Sequence, residues 1–148
     1  MEKTLAYAIA LLRRDFKAYC QQELSKLGVS LGQLYFLLYI GKYQPCSSKA
    51  LSDALLVDAG QTTRSVDKLV EAGLVHREKS PSDKRAVALT LTQKGEHAYE
   101  RSHQLFDEWD HLALSYVSPT EADAFMEMIL RIAEGRKRDQ DNSQEETK

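Results

Sequence analysis

Gln61, Arg64, Ser65 and Lys68 recur at three- and four-residue spacing, opposite Val66, Leu69 and Val70. Such side chains suit the edges of nucleic-acid bases. Gln matches adenine, Arg matches guanine, and the first-turn hydroxyls Thr62 and Thr63 suit a thymine methyl or a phosphate. Each good bidentate contact is worth roughly 1–3 kcal/mol of discrimination. Downstream, Lys79-Ser80-Pro81-Ser82-Asp83-Lys84-Arg85 is a polar turn too charged for a core, with a basic tip. Any exposed helix face has a similar composition, so the chemistry depends on the elements that present these residues.

The pattern of apolar residues supplies those elements. Leu5, Ile9, Leu12, Phe16, Tyr19, Cys20, Leu24 and Leu27 form one helical face, ended by Gly28. Ser30 and Gln33 make a capping box that opens a second helix carrying Leu34, Tyr35, Leu38 and Tyr39. After the break at 44–48, a short third helix buries Ala50, Leu51, Ala54 and Leu55. Asp58 and Gln61 make a second box, and Gly73 stands where a left-handed helix end is wanted. Two short helices joined by residues 56–59 are a helix-turn-helix unit, about 47–73. The period then changes. Residues 74–78 and 86–91, with Val87, Leu89 and Leu91 on one side, are two strands of a hairpin, about 74–91. Thr92 caps a fifth helix with a stripe of Ala98, Ser102, Leu105, Phe106, Trp109 and Leu112. Ser118, Pro119 and Glu121 start a sixth that buries Ala122, Phe125, Met126, Ile129 and Ile132. Residues 136–148 are polar and aperiodic and are expected to fray or be disordered. The expected fold is mostly α with a small β hairpin: a winged helix-turn-helix domain over 1–135, flanked by long helices at about 4–27 and 93–135.

Composition fits one such domain. The chain has 148 residues, 43% hydrophobic and 28% charged, which excludes a disordered chain, a collagen or a coiled-coil rod. No apolar run approaches the roughly 20 residues of a membrane span. The run 5–12 is closed by Arg13-Arg14-Asp15, which argues against a signal peptide. The net charge of −2 is unevenly spread: residues 61–94 carry seven Lys/Arg against four Asp/Glu, residues 95–135 two against nine. A basic stretch on an acidic body is compatible with nucleic acid, because affinity follows the local footprint. Cys20 and Cys46 lack a CxxC spacing and read as free thiols in a reducing cytoplasm. There is no phosphate loop, GxSxG or HExxH, so no enzyme is indicated and no cofactor is expected.

Asp83-Lys84-Arg85, followed by Leu89-Thr90-Leu91-Thr92-Gln93-Lys94-Gly95, resembles the wing signature of the MarR family of bacterial transcription regulators. Residues 66–75 resemble that family's recognition helix and its exit into the wing, and Arg77 falls where the family has an arginine. The resemblance covers nearly everything up to about 135. It implies a homodimer built from the first, fifth and sixth helices, bound to palindromic double-stranded DNA, with a small effector beneath the DNA-binding lobe. Arg85 would enter a minor groove, and Asp83, also a good turn residue, would orient Arg64 or Arg85. Ser48, Lys49 and Arg77 would meet the DNA backbone. Phe16, Tyr19, Tyr35 and Tyr39 would line the site of an aromatic or anionic effector, with Arg13, Arg14 or Lys17 to neutralise it; plain core is the alternative. The apolar surface of Leu5, Ile9 and Leu12 and of Phe125, Ile129 and Ile132 independently suggests dimerisation.

Three other readings compete. Cys20 or Cys46 would serve a thiol switch, although Cys20 sits too far into its helix to match the peroxide-sensing members. His103, Asp107 and His111 recur every four residues and would need one more ligand to hold zinc. A winged helix used as a protein-interaction module would favour exposed apolar residues over Arg64, Lys68 and Arg85.

Overall fold

The computed structural model describes residues 3–80, 82–83 and 86–145. The order is α1 (Leu5–Lys26), α2 (Leu31–Tyr43), α3 (Ser48–Leu55), α4 (Ala59–Glu71), β1 (Val75–Lys79), β2 (Val87–Leu91), α5 (Gln93–Leu114) and α6 (Pro119–Glu145).

The helix starts follow from their caps. Thr4, Ser30, Ser47 and Asp58 each stand in extended backbone and accept an N–H of the first turn. At Ser30 the box is reciprocal: Gln33 N donates to Ser30 Oγ and Ser30 N to Gln33 Oε1. The ends of α1 and α4 also share one device. Gly28 and Gly73 have φ of 73° and 74°. Val29 N then reaches Leu24 O, and Leu74 N reaches Leu69 O, each at 2.9 Å. The turn 56–58 is tighter than expected. Leu56 closes α3 in left-handed backbone, φ 54°, and stays exposed.

The chain divides into two units, Met1–Trp109 and Asp110–Lys148. In the first, Leu24, Leu34, Leu37, Ile40, Leu51, Val66, Leu69, Leu74, Leu89 and Leu105 form the core, each at most 1% exposed. β1 and β2 pair antiparallel with Arg77 opposite Leu89. Cys46 adds an isolated bridge to Leu89, its N–H and C=O both bonded there, and Gln44 Oε1 accepts from Leu91 N at 2.8 Å. The segment between α2 and α3 is thereby stitched to the wing.

Several expected faces are corrected. On α2 the buried set is Leu34, Phe36, Leu37 and Ile40, and Tyr35 is exposed. On α3, Ala54 is exposed. On β2, Val87 is exposed beside the hairpin tip. The first half of α1 buries nothing: Leu5, Ile9 and Leu12 are exposed, as expected of apolar surface that one copy leaves uncovered. In the second unit, Phe125 and Ile132 are exposed on α6, and Ala122, Met126 and Ile129 are half-buried. Nor does α6 stop near 135. It continues to Glu145, because 136–145 is rich in helix-compatible polar residues and Arg136 pairs with Asp139 one turn on. Lack of apolar periodicity removes packing, not helical propensity.

Candidate nucleic-acid interface

The site is built on α4. Asp58 Oδ1 accepts from Gln61 N at 2.7 Å, which fixes the first turn. Val66 and Leu69 are fully buried beneath it. The opposite face presents Gln61, Thr63, Arg64 and Lys68 to solvent, with Ser65 half-buried. The Arg64 guanidinium lies back over Gly60, where a Cβ would stand 3.3 Å from Nη1. Of the outward set that the spacing predicted, Gln61, Arg64 and Lys68 are exposed and Ser65 is only half so; Thr63, a first-turn candidate, is exposed beside them.

Thr62 leaves that stripe. It is 1% exposed, donates from Oγ1 to Asp58 O at 3.0 Å and lies 2.8 Å from Ser52 Oγ. Its hydroxyl joins α3 to α4 and cannot face a groove. The first turn of a helix looks polar whichever way it points, so composition could not separate Thr62 from Thr63.

Two of the three backbone-contact candidates, Lys49 and Arg77, have partners of their own. Ser48 opens α3 and is exposed. Lys49 Nζ pairs with Asp53 at 2.7 Å, both well exposed, so the pair is weak and yields readily to a phosphate. Arg77 Nη2 pairs with Asp67 on α4, and its charge therefore serves first to tie β1 to α4. Asp67 and Arg77 lie on different elements, so no helical spacing announced their contact. Lys79 is exposed at the end of β1. The hairpin is closed by Ser80 N donating to Ala86 O at 2.8 Å and Ala86 N to Asp83 O at 3.0 Å. Lys84 and Arg85 lie outside the described residues.

The four aromatic candidates separate into two pairs. Phe16 packs against Phe106 and Trp109 of α5, with ring centroids 5.5 and 5.1 Å apart. Tyr19 donates its hydroxyl to Glu108. Tyr39 meets Tyr43 ring to ring, tilted, with centroids 4.6 Å apart, and Tyr35 stands exposed. The described contacts do not gather the four into one lining, and the groove lined by Ala18, Gln21, Gln22, Ser25 and Lys26 includes none of them. Burial pushes both the Cys20 and the Cys46 thiol up, the opposite of an activated thiolate. His103 packs edge-on to Tyr99, and among the described residues no three His, Cys, Asp or Glu gather as a metal site. Among the described residues, no helix is long and apolar enough to cross a membrane.

A family model described as MarR family matches residues 27–86. The chain is 42% identical over 132 residues to the HTH-type transcriptional regulator BilQ of Clostridium symbiosum (strain WAL-14163), covering 89% of this chain and 92% of that protein. It is similar in structure to a MarR transcriptional regulator from Methanosarcina mazei Go1, with a TM-score of 0.80 and 25% identity, covering 93% of this chain and 99% of that one. The S. aureus MepR–DNA complex shares the fold at a TM-score of 0.76 and 20% identity, covering 90% of this chain and 99% of that one.

Proposed function

The chain belongs to the MarR family of DNA-binding transcriptional regulators, which are not enzymes, and from that premise we propose that it is a homodimeric repressor. It binds a pseudo-palindromic operator through α4 and the wing, and a small aromatic or anionic effector releases it.

The observation that carries this reading is the two-sided character of α4. Val66 and Leu69 anchor one side while Gln61, Thr63, Arg64 and Lys68 are exposed to solvent, and a recognition helix in a major groove needs that division. Ser65 flanks the stripe. Lys79, Lys84 and Arg85 give the wing its positive charge, with Arg85 directed to a minor groove and Asp83 holding the arginines in place. Ser48, Lys49 and Arg77 meet phosphates.

Two-fold pairing is supported by the exposed Leu5, Ile9 and Leu12 on α1 and Phe125, Met128, Leu130 and Ile132 on α6, more large apolar side chains than a solvated helix ordinarily carries. Two recognition helices related by a two-fold axis reach major-groove half-sites about 10 base pairs apart. An effector would draw on Phe16, Tyr19, Tyr35 and Tyr39, with Arg13, Arg14 or Lys17 for charge, and would have to displace the contacts of Phe16 with α5 and of Tyr19 with Glu108.

In-vitro selection of duplexes from a random pool tests the reading. The expected result is an inverted-repeat consensus with half-sites one helical turn apart. Recovery of unrelated sequences, or of none, would overturn it.

A further inference from the structure

Resting on that reading, we propose that the turn from Thr92 to Gly95 is a clamp on the carboxyl end of the recognition helix, and that Lys94 is a positioning residue for DNA recognition that does not itself touch DNA. The last carbonyls of a helix and those just beyond it lack helical partners. The end of α4 satisfies Leu69 O and Val70 O by its own turn, through the N–H groups of Leu74 and Gly73. Three consecutive carbonyls at and just past the end of α4, those of Ala72, Gly73 and Leu74, all turn to one place. Ala72 O accepts from Lys94 Nζ at 2.7 Å, Gly73 O from Thr92 Oγ1 at 2.6 Å, and Leu74 O from Thr92 N at 3.0 Å. The Thr92 hydroxyl also accepts from Gly95 N at 2.9 Å, so the same side chain caps α5 and holds α4. Gly95 permits the approach: a Cβ there would lie 2.0 Å from Leu74 O.

Lys94 is exposed, and its ammonium sits at the negative end of the α4 dipole. Its leverage is geometric. α4 is about 20 Å long at 1.5 Å per residue, so a tilt of about 5° about the clamped end moves the first turn by roughly 1.7 Å. That exceeds what a hydrogen bond to a base edge tolerates. Gln61, Thr63 and Arg64 lie at or near the end that would move.

Direct phosphate contact is the rival role for an exposed lysine, and salt dependence separates the two. Anisotropy titrations of the full chain against the selected operator and an unrelated duplex, over a salt series, compare wild type with Lys94→Met and Lys94→Arg. Positioning predicts that Lys94→Met weakens operator binding about 3- to 10-fold and leaves the slope of log affinity against log salt unchanged. Binding to the unrelated duplex is unaffected, and Lys94→Arg restores most of the loss. A slope smaller by about 1 places Lys94 on a phosphate and overturns the proposal, as does unchanged operator affinity. Hydrogen exchange of the free protein reads the clamp without DNA. Faster exchange of the Gly73 and Leu74 amides in Lys94→Met is expected, and unchanged exchange refutes the clamp. Should the wild type select no duplex at all, the regulator reading falls, while the exchange result still decides the clamp.

Discussion

Two threonines one position apart show how much depends on single side chains. Thr63 Oγ1 donates to Ala59 O and remains exposed, whereas Thr62 spends its hydroxyl on Asp58 O and Ser52. The glycines divide in the same way. At Gly95 a Cβ would meet the backbone oxygen of Leu74 at 2.0 Å, and at Gly41 it would meet the Tyr99 ring at 2.3 Å. Backbone cannot yield, but a side chain can swing aside. Gly95→Ala is therefore expected to lower unfolding stability by about 3 kcal/mol and Gly41→Ala by about 1–2 kcal/mol, measured by urea denaturation. Equal losses would mean that the two contacts relax alike. The glycine of the Leu-Thr-x-x-Gly run was recognisable from the sequence, but its reason, a carbonyl arriving from the end of α4, depends on a contact more than twenty positions away.

At the scale of elements, α1 and α5 are joined by aromatic packing and by charge. Arg101 bonds Glu108 at 2.8 Å and Glu23 at 3.5 Å, and Trp109 Nε1 donates to Asp15 at 2.9 Å. The Arg101 hydrogen bond, aided by Tyr19, holds the Glu108 carboxyl below its ordinary range. Glu23 is lowered chiefly by Lys26, with Arg101 behind it. A carboxyl depressed on folding stabilises above its unfolded value of about 4.3, and that contribution is lost as pH falls through the lower folded value. Thermal melts should thus show Glu108→Gln less stable than wild type near neutrality, with the gap closing below about pH 4. A gap that persists unchanged to pH 3 would show that packing, not charge, is responsible.

Element boundaries were largely legible because the caps are local. Ser30 with Gln33, Asp58, Gly28 and Gly73 act within a few residues of themselves. Faces were less legible. The apolar stripe of α1 runs unbroken from Leu5 to Leu27, but only Cys20 and Leu24 are buried. Periodicity reports which side is apolar and not what covers it. On α2 almost every residue is apolar, so no stripe singled out Leu37 and Ile40 over Tyr35. The exposed polar stripe of α4 was legible because that helix is strongly two-sided. The ion pair of Asp67 with Arg77 was not, since it joins a helix to a strand.

Across the whole molecule, charge follows sequence position: net positive through residues 61–94 and strongly negative through 95–135. The homodimer proposed above would cover the exposed apolar residues of α1 and α6. The most direct measurement is operator affinity of Arg64→Glu beside wild type, with circular dichroism to show both equally folded. Recognition through the exposed face of α4 predicts a loss of roughly 10- to 100-fold from this one substitution. An Arg64→Glu protein that stays folded and binds the selected operator as tightly as wild type would contradict it.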